Sequence, residues 1–146
     1  MQGLELGVSY HYEDDPSQQD GDGGYIEEGS LMEAHIAYNS GMFGLRALYA
    51  EWDFEGDGIE ADNGDEQKGW YIEPSIRPLA NLGFFARYED LEYFKGSEKN
   101  VEIMSVGANY YLHEQVALKA DYIDYKDNVD SSKDFDGFNL GVGLSF

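Results

Sequence analysis

The feature that most constrains this chain is a period-two alternation of apolar and polar residues, repeated in segments of about ten residues. At the end of the chain Phe138, Leu140, Val142, Leu144 and Phe146 share one parity, and Gly137, Asn139, Gly141, Gly143 and Ser145 the other. Near the start Leu4, Leu6, Val8, Tyr10 and Tyr12 alternate in the same way with Gly3, Glu5, Gly7, Ser9 and His11. Successive side chains of a β-strand point to opposite faces, so this pattern argues for strands with one apolar face rather than for helices.

Six more strands are predicted between these two. Residues 30–39 carry Met32, Ala34, Ile36 and Tyr38 on the apolar face, and residues 42–53 carry Phe43, Leu45, Ala47 and Tyr49. Residues 68–78 contribute Trp70, Ile72, Pro74 and Ile76, and residues 82–94 contribute Leu82, Phe84, Ala86 and Tyr88. Residues 101–112 supply Met104, Val106, Ala108 and Tyr110, and residues 115–125 supply Val116, Leu118, Ala120 and Tyr122. In the fifth strand the parity slips, because Leu91 and Tyr93 fall on the polar side; a bulge between Glu89 and Leu91 is expected there.

The connections alternate in length. Three are short, at residues 39–41, 78–81 and 112–114; four are longer and acidic, at about 13–29, 54–67, 94–100 and 126–136. Glu13 to Glu28 holds seven acids and Glu51 to Glu66 holds eight, half of the 30 in the chain. A soluble sandwich has no reason to sort its loops so strictly, whereas an up-and-down barrel with its two ends in different compartments does.

The two faces point the same way. The apolar face carries aliphatic residues in mid-strand and aromatics toward the strand ends: Tyr10, Tyr38, Tyr49, Trp70, Tyr88, Tyr110, Tyr122 and Phe146. Aromatic girdles around a band of small aliphatics, on strands long enough to cross the hydrocarbon layer at a tilt, describe a membrane β-barrel. The polar face is rich in Gly, Ser, Asn and Tyr, with isolated charges at Glu33, Arg46, Glu73, Arg77, Arg87, Glu89, Lys119 and Asp121, which are expected to line a lumen. A soluble ligand-binding barrel, with the apolar face inward, is the competing reading.

Composition narrows the remaining classes. With 30 acids against 9 bases and a net charge of −21, the chain is no general nucleic-acid binder, since phosphates have to be met by clustered Lys and Arg. The absence of cysteine removes disulfides, thiol nucleophiles and Cys-based zinc sites. A hydrophobic content of 42% and an aromatic content of 15% separate the chain from disordered acidic sequences. No run approaches the roughly 18 apolar residues of a spanning helix. The opening residues MQGLELGVSYHYEDD lack the basic and apolar regions of a secretory signal, so the chain is expected to be unexported, or the mature or partial form of an exported protein.

GFNLGVGLSF resembles the C-terminal assembly signal of Gram-negative outer-membrane proteins. GLRALYAEWDF, WYIEPSIRP, LGFFARYEDLEYF and NYYLHEQVALKADYIDY resemble the final strands of general porins of the phosphate-selective type. The likeness runs from about Gly3 to Phe146. It implies bacterial outer-membrane localisation, a single barrel domain over 1–146 corresponding to the C-terminal half of a sixteen-stranded porin, and possible homotrimers. The partners implied are outer-membrane lipid and lipopolysaccharide, the barrel-assembly machinery that reads Phe138, Leu140, Val142, Leu144 and Phe146, and small ions or solutes. The fold class expected is therefore all-β, an antiparallel up-and-down transmembrane barrel of eight strands in this chain, either closed on itself or half of a wider barrel.

The chemistry follows from the polar face. Four bases with matching acids fit a mixed-charge pore, general or cation-leaning, better than a ladder of bases selective for phosphate. Asp53, Glu55, Asp57 and Gly58 match the opening of an EF-hand loop, but Gly64 stands where its bidentate Glu belongs and no helices flank it, so no specific metal site is expected. His11 and His35 share a face with Glu5 and Glu33, and His113 lies in a turn; without a nucleophile motif these suggest lumen hydrogen bonding, so neither catalysis nor a cofactor is expected. The leading expectation is a passive diffusion channel, and its alternative a closed eight-stranded barrel serving as an anchor or surface interaction protein.

Overall fold

The structure is a computed structural model, which describes residues 3–14, 28–56, 65–93 and 100–144. It contains eight strands: β1 (Gly3–Asp14), β2 (Glu28–Ser40), β3 (Phe43–Glu55), β4 (Glu66–Leu79), β5 (Leu82–Glu92), β6 (Asn100–His113), β7 (Val116–Asp127) and β8 (Phe135–Leu144). All eight predicted strands are present. They form one sheet in sequence order, each pairing antiparallel with the next, so the topology is up-and-down throughout. A 3-10 turn at Ser131–Lys133 lies between β7 and β8.

The short connections close on two residues each. In the first, Gly41 adopts a φ of 60°, a conformation that costs an L side chain steric strain and a glycine nothing. At the long-loop ends β2, β3, β4 and β7 run two residues beyond their expected bounds and β6 one, whereas β5 ends at Glu92, two residues short of its expected end. Backbone ladder bonds form whatever the side chain, whereas the apolar pattern stops where the apolar environment stops. Glu51, Lys68 and Glu92 lie in register at the long-loop ends of β3, β4 and β5, on the same face as the aliphatic band and one step beyond Tyr49 and Trp70.

Two expectations are corrected. The register of β5 against β4 and β6 is unbroken between Glu89 and Leu91, so no bulge exists there. Leu91 stays on the polar face because its cross-strand partner is Gly69, over which its side chain lies, Cδ2 falling 2.6 Å from where a Cβ would stand. The register shifts occur instead between Ile76 and Leu79 and between Tyr111 and His113, beside the short turns. The second correction concerns closure. Among the described residues β1 pairs only with β2 and β8 only with β7, so these strands form an open curved sheet rather than the small closed barrel held as an alternative. A closed eight-stranded barrel fills its interior with side chains; here the curved face keeps a cavity of about 750 Å³ bordered by residues from β2 through β7.

The sheet is apolar on its outside. Leu4, Leu6, Val8, Met104, Val106, Leu118, Phe138, Leu140, Val142 and Leu144 are all exposed on the convex face, and Val101 is the only buried hydrophobic residue among those described. A soluble ligand-binding barrel would turn these side chains inward, so that reading is excluded. Ring pairs such as Trp70 with Tyr88 at 5.5 Å and Tyr122 with Phe138 at 5.0 Å tie neighbouring strands together on the same convex face.

Candidate functional site: the concave wall

The pleat sends every second residue of β2 to β7 onto the concave face, and the ladder register then decides which of them meet. Arg46 on β3 stands directly opposite Glu73 on β4. Glu73 is buried, and its carboxylate is held from both sides. Arg46 Nη1 lies 3.4 Å from Oε1, while Arg87 on β5 donates from Nε at 2.9 Å and approaches Oε2 with Nη2 at 2.7 Å. Arg87 also lies 3.7 Å from Glu89, and its guanidinium covers the Tyr71 ring at 4.4 Å. Three strands are thereby cross-linked by one acid between two guanidinium groups. A carboxylate removed from water this far requires such compensation.

A second cluster sits on the opposite flank of the cavity. Lys119 on β7 lies 3.3 Å from Asp121 and 5.0 Å from the centre of the Phe85 ring. Asp121 also accepts a hydrogen bond from Asn139, its cross-strand partner on β8, at 3.0 Å. Phe85 lies flat because its neighbour is Gly107, where a Cβ would fall 2.6 Å from the ring. Arg77, near the end of β4, has no carboxylate partner among the described residues. It donates from Nε to the Ala80 carbonyl at 3.1 Å, with Nη2 on the same oxygen, and its guanidinium covers Tyr111 at 4.2 Å.

Seven of the eight residues expected on the lumen, Arg46, Glu73, Arg77, Arg87, Glu89, Lys119 and Asp121, therefore border one cavity. Glu33 does not. It lies nearer the long-loop end on β2, where its Oε1 is 3.1 Å from Nδ1 of His35, whose Nε2 is 3.9 Å from Glu5. His11 is 3.8 Å from Glu13. Neither histidine–acid pair adjoins a nucleophile in the described contacts. Asp53 and Glu55 are paired within the β2–β3 ladder, and the rest of the EF-hand-like segment, Asp57, Gly58 and Gly64, lies outside the described residues. No group of three or more His, Cys, Asp or Glu is placed to hold a metal among the described residues.

Sequence reading overlooked the aromatic partners. Tyr71, Phe85 and Tyr111 interrupt the polar face, and each carries a basic side chain on its ring. Their signal was parity: an aromatic on the polar face of a strand needs a cation or a glycine beside it. Of the terminal residues, Phe138, Leu140, Val142 and Leu144 project from the convex face of β8, and Phe146 lies outside the described residues.

An up-and-down β-sheet with an apolar exterior, an aromatic rim and a charged, water-accessible concave wall is the architecture of an outer-membrane channel protein. The chain belongs to the Gram-negative porin family, whose sequence model matches residues 1–146, and the bacterial outer membrane is its location. Compared with curated proteins, the chain matches none.

Proposed function

We propose that the chain forms the wall of a passive, water-filled diffusion channel for small ions and solutes, with no chemical step. The observation that carries this reading is the Arg46–Glu73–Arg87 bridge across three strands: it fixes charged heads on a concave wall without filling the space in front of them. Glu33, Arg46, Glu73, Arg77, Arg87, Glu89, Lys119 and Asp121 are the pore-lining set. A ring of fixed, oppositely charged groups sorts permeating solutes by sign and size. The acids of the long connections raise the local concentration of cations, including divalent ions that bridge lipopolysaccharide. On β8, Phe138, Leu140, Val142 and Leu144, continued by Phe146, present the alternating apolar edge read by the barrel-assembly machinery.

Conductance across a planar bilayer tests the reading. Stepwise, ohmic current is expected from the native outer-membrane protein reconstituted in detergent; folded, inserted protein that passes no current would refute it.

A further inference from the structure

Counted along the sequence, the charges of the concave wall nearly cancel. In three dimensions they do not stand at the same depth. The side chains of Arg46 and Lys119 are 64% and 50% exposed, while those of their partners Glu73 and Asp121 are each 10% exposed. Arg77 is exposed, with no acid before it among the described residues. The acids are recessed against the wall, and the bases stand over them. The Arg46–Glu73 and Lys119–Asp121 pairs are dipoles with their positive ends toward the cavity, while Arg87 and Glu89, 32% and 24% exposed, stand nearly level, so an ion passing within a few ångströms of the first two pairs meets guanidinium and ammonium groups first.

Immediately toward the long-loop end the wall changes character. Ala50, Gly69 and Leu91 lie in register across β3, β4 and β5. The two small residues leave a groove of about 330 Å³ walled by Leu48, Trp52, Tyr71 and Leu91, with only minor polar surface from Gln67 and the strand-end charges. Trp52 is kept upright by stacking on Phe54, the ring centres 5.4 Å apart and the planes 8° from parallel. The groove and the larger cavity share Glu89, and Tyr71, one wall of the groove, is the ring on which Arg87 lies. An apolar slot therefore opens directly onto a layer of protruding bases.

The geometry points to a preferred solute class: small organic anions with an apolar body, carboxylates of the benzoate type, whose ring lies in the Leu48–Trp52–Leu91 groove while the carboxylate reaches the Arg46–Arg87 layer. This assignment rests on the channel reading and gives it a sign and a solute. It also reverses what the overall charge of −21 suggests.

The test uses the native protein in planar bilayers. In a KCl gradient the reversal potential should report chloride over potassium by about threefold, the magnitude expected for a partly compensated ring of fixed charge. Sodium benzoate should reduce the chloride current at about tenfold lower concentration than sodium acetate, because benzoate has a whole ring to bury where acetate has a single methyl group. Trp52→Ala should abolish the difference between benzoate and acetate and leave the chloride preference in place. Arg46→Gln with Lys119→Gln should bring the chloride-to-potassium ratio to one or below. Potassium preference in the native protein, or equal action of benzoate and acetate, overturns the assignment. Absence of any current overturns the channel reading instead. In that case titration of the detergent-solubilised protein decides the binding site: tryptophan fluorescence responding to benzoate in the native protein and not in Trp52→Ala supports it, and no response overturns it.

Discussion

Along the concave wall, the short-turn half and the long-loop half use the same strands but hold their side chains by different means. Near the short turns, order comes from charge: Glu73 between two guanidinium groups, Lys119 against Asp121, and a ring under Arg77, Arg87 and Lys119. Toward the long loops, order comes from shape: Leu91 lies over Gly69, and Trp52 stacks on Phe54. A charged wall facing water cannot be packed as a core is packed, because its groups must remain hydrated on one side. It is instead cross-braced behind. An apolar wall facing the same water has no ionic bracing and relies on neighbours small enough to receive it. The difference teaches that a concave wall can be held in both halves with almost no buried core.

Removing the brace should have the largest effect. Glu73→Ala leaves two partly exposed guanidinium groups facing each other and should cost about 2 kcal/mol, between the cost of breaking an exposed ion pair and that of breaking a buried one. Leu91→Ala, at a half-buried site, should cost about 1 kcal/mol. Urea unfolding of the refolded protein followed by tryptophan fluorescence compares them; the distinction between the halves fails if Leu91→Ala proves the more damaging change.

Glycine substitutions sharpen the same contrast at a smaller scale. A Cβ on Gly107 would stand 2.6 Å from the Phe85 ring and 2.7 Å from the Ala120 carbonyl oxygen, one of them immovable backbone. Gly107→Ala should therefore cost about 1–3 kcal/mol through overpacking. At Gly69 the obstacle is the tip of Leu91, which can rotate away, so Gly69→Ala should cost under about 1 kcal/mol and narrow the groove instead. Equal losses in thermal melts of the two variants would show that the long-loop half is as tightly braced as the other.

These contrasts mark what could be read from sequence. The number of strands, the two faces and the alternation of short and long loops follow from the pleat and from turn chemistry, both local properties. Register is not local. Nothing near Glu73 in the chain announces that Arg46, 27 residues earlier, and Arg87, 14 residues later, converge on it. The misplaced bulge has the same origin: Leu91 looked out of phase because its accommodating glycine lies on another strand. Depth was equally illegible, since alternation assigns a side chain to a face and does not say whether its head stands proud of that face or behind a neighbour.

The smallest effect concerns the loop between β7 and β8, outside the membrane-crossing part of the sheet. Both the hydroxyl and the backbone N–H of Ser132 donate to Asp130, the latter at 3.1 Å, and hold its carboxyl below the ordinary carboxylate range. A depressed folded pKa stabilises the turn above the unfolded value and loses that contribution as pH falls through the folded one. Amide exchange at Ser132, corrected for its intrinsic rate, should therefore accelerate below about pH 4 while the β6–β7 ladder stays protected. Protection of Ser132 that stays unchanged down to the lowest pH at which the sheet remains folded would remove the carboxylate from any role in ordering this turn.

The overhang of the strands beyond the aliphatic band has an electrical consequence. From Arg46 to Glu55 is nine residues of β3, about 30 Å at roughly 3.3 Å per residue. The Debye length is about 8 Å in physiological salt and about 30 Å at 0.01 M. On the proposed channel reading, the strand-end acids and the basic layer are in a salt-rich medium two independent filters in series, each seen by a permeating ion only when it arrives. In dilute surroundings their fields merge into one barrier profile along the whole strand length, and the molecule becomes, to an approaching ion, a single extended dipole.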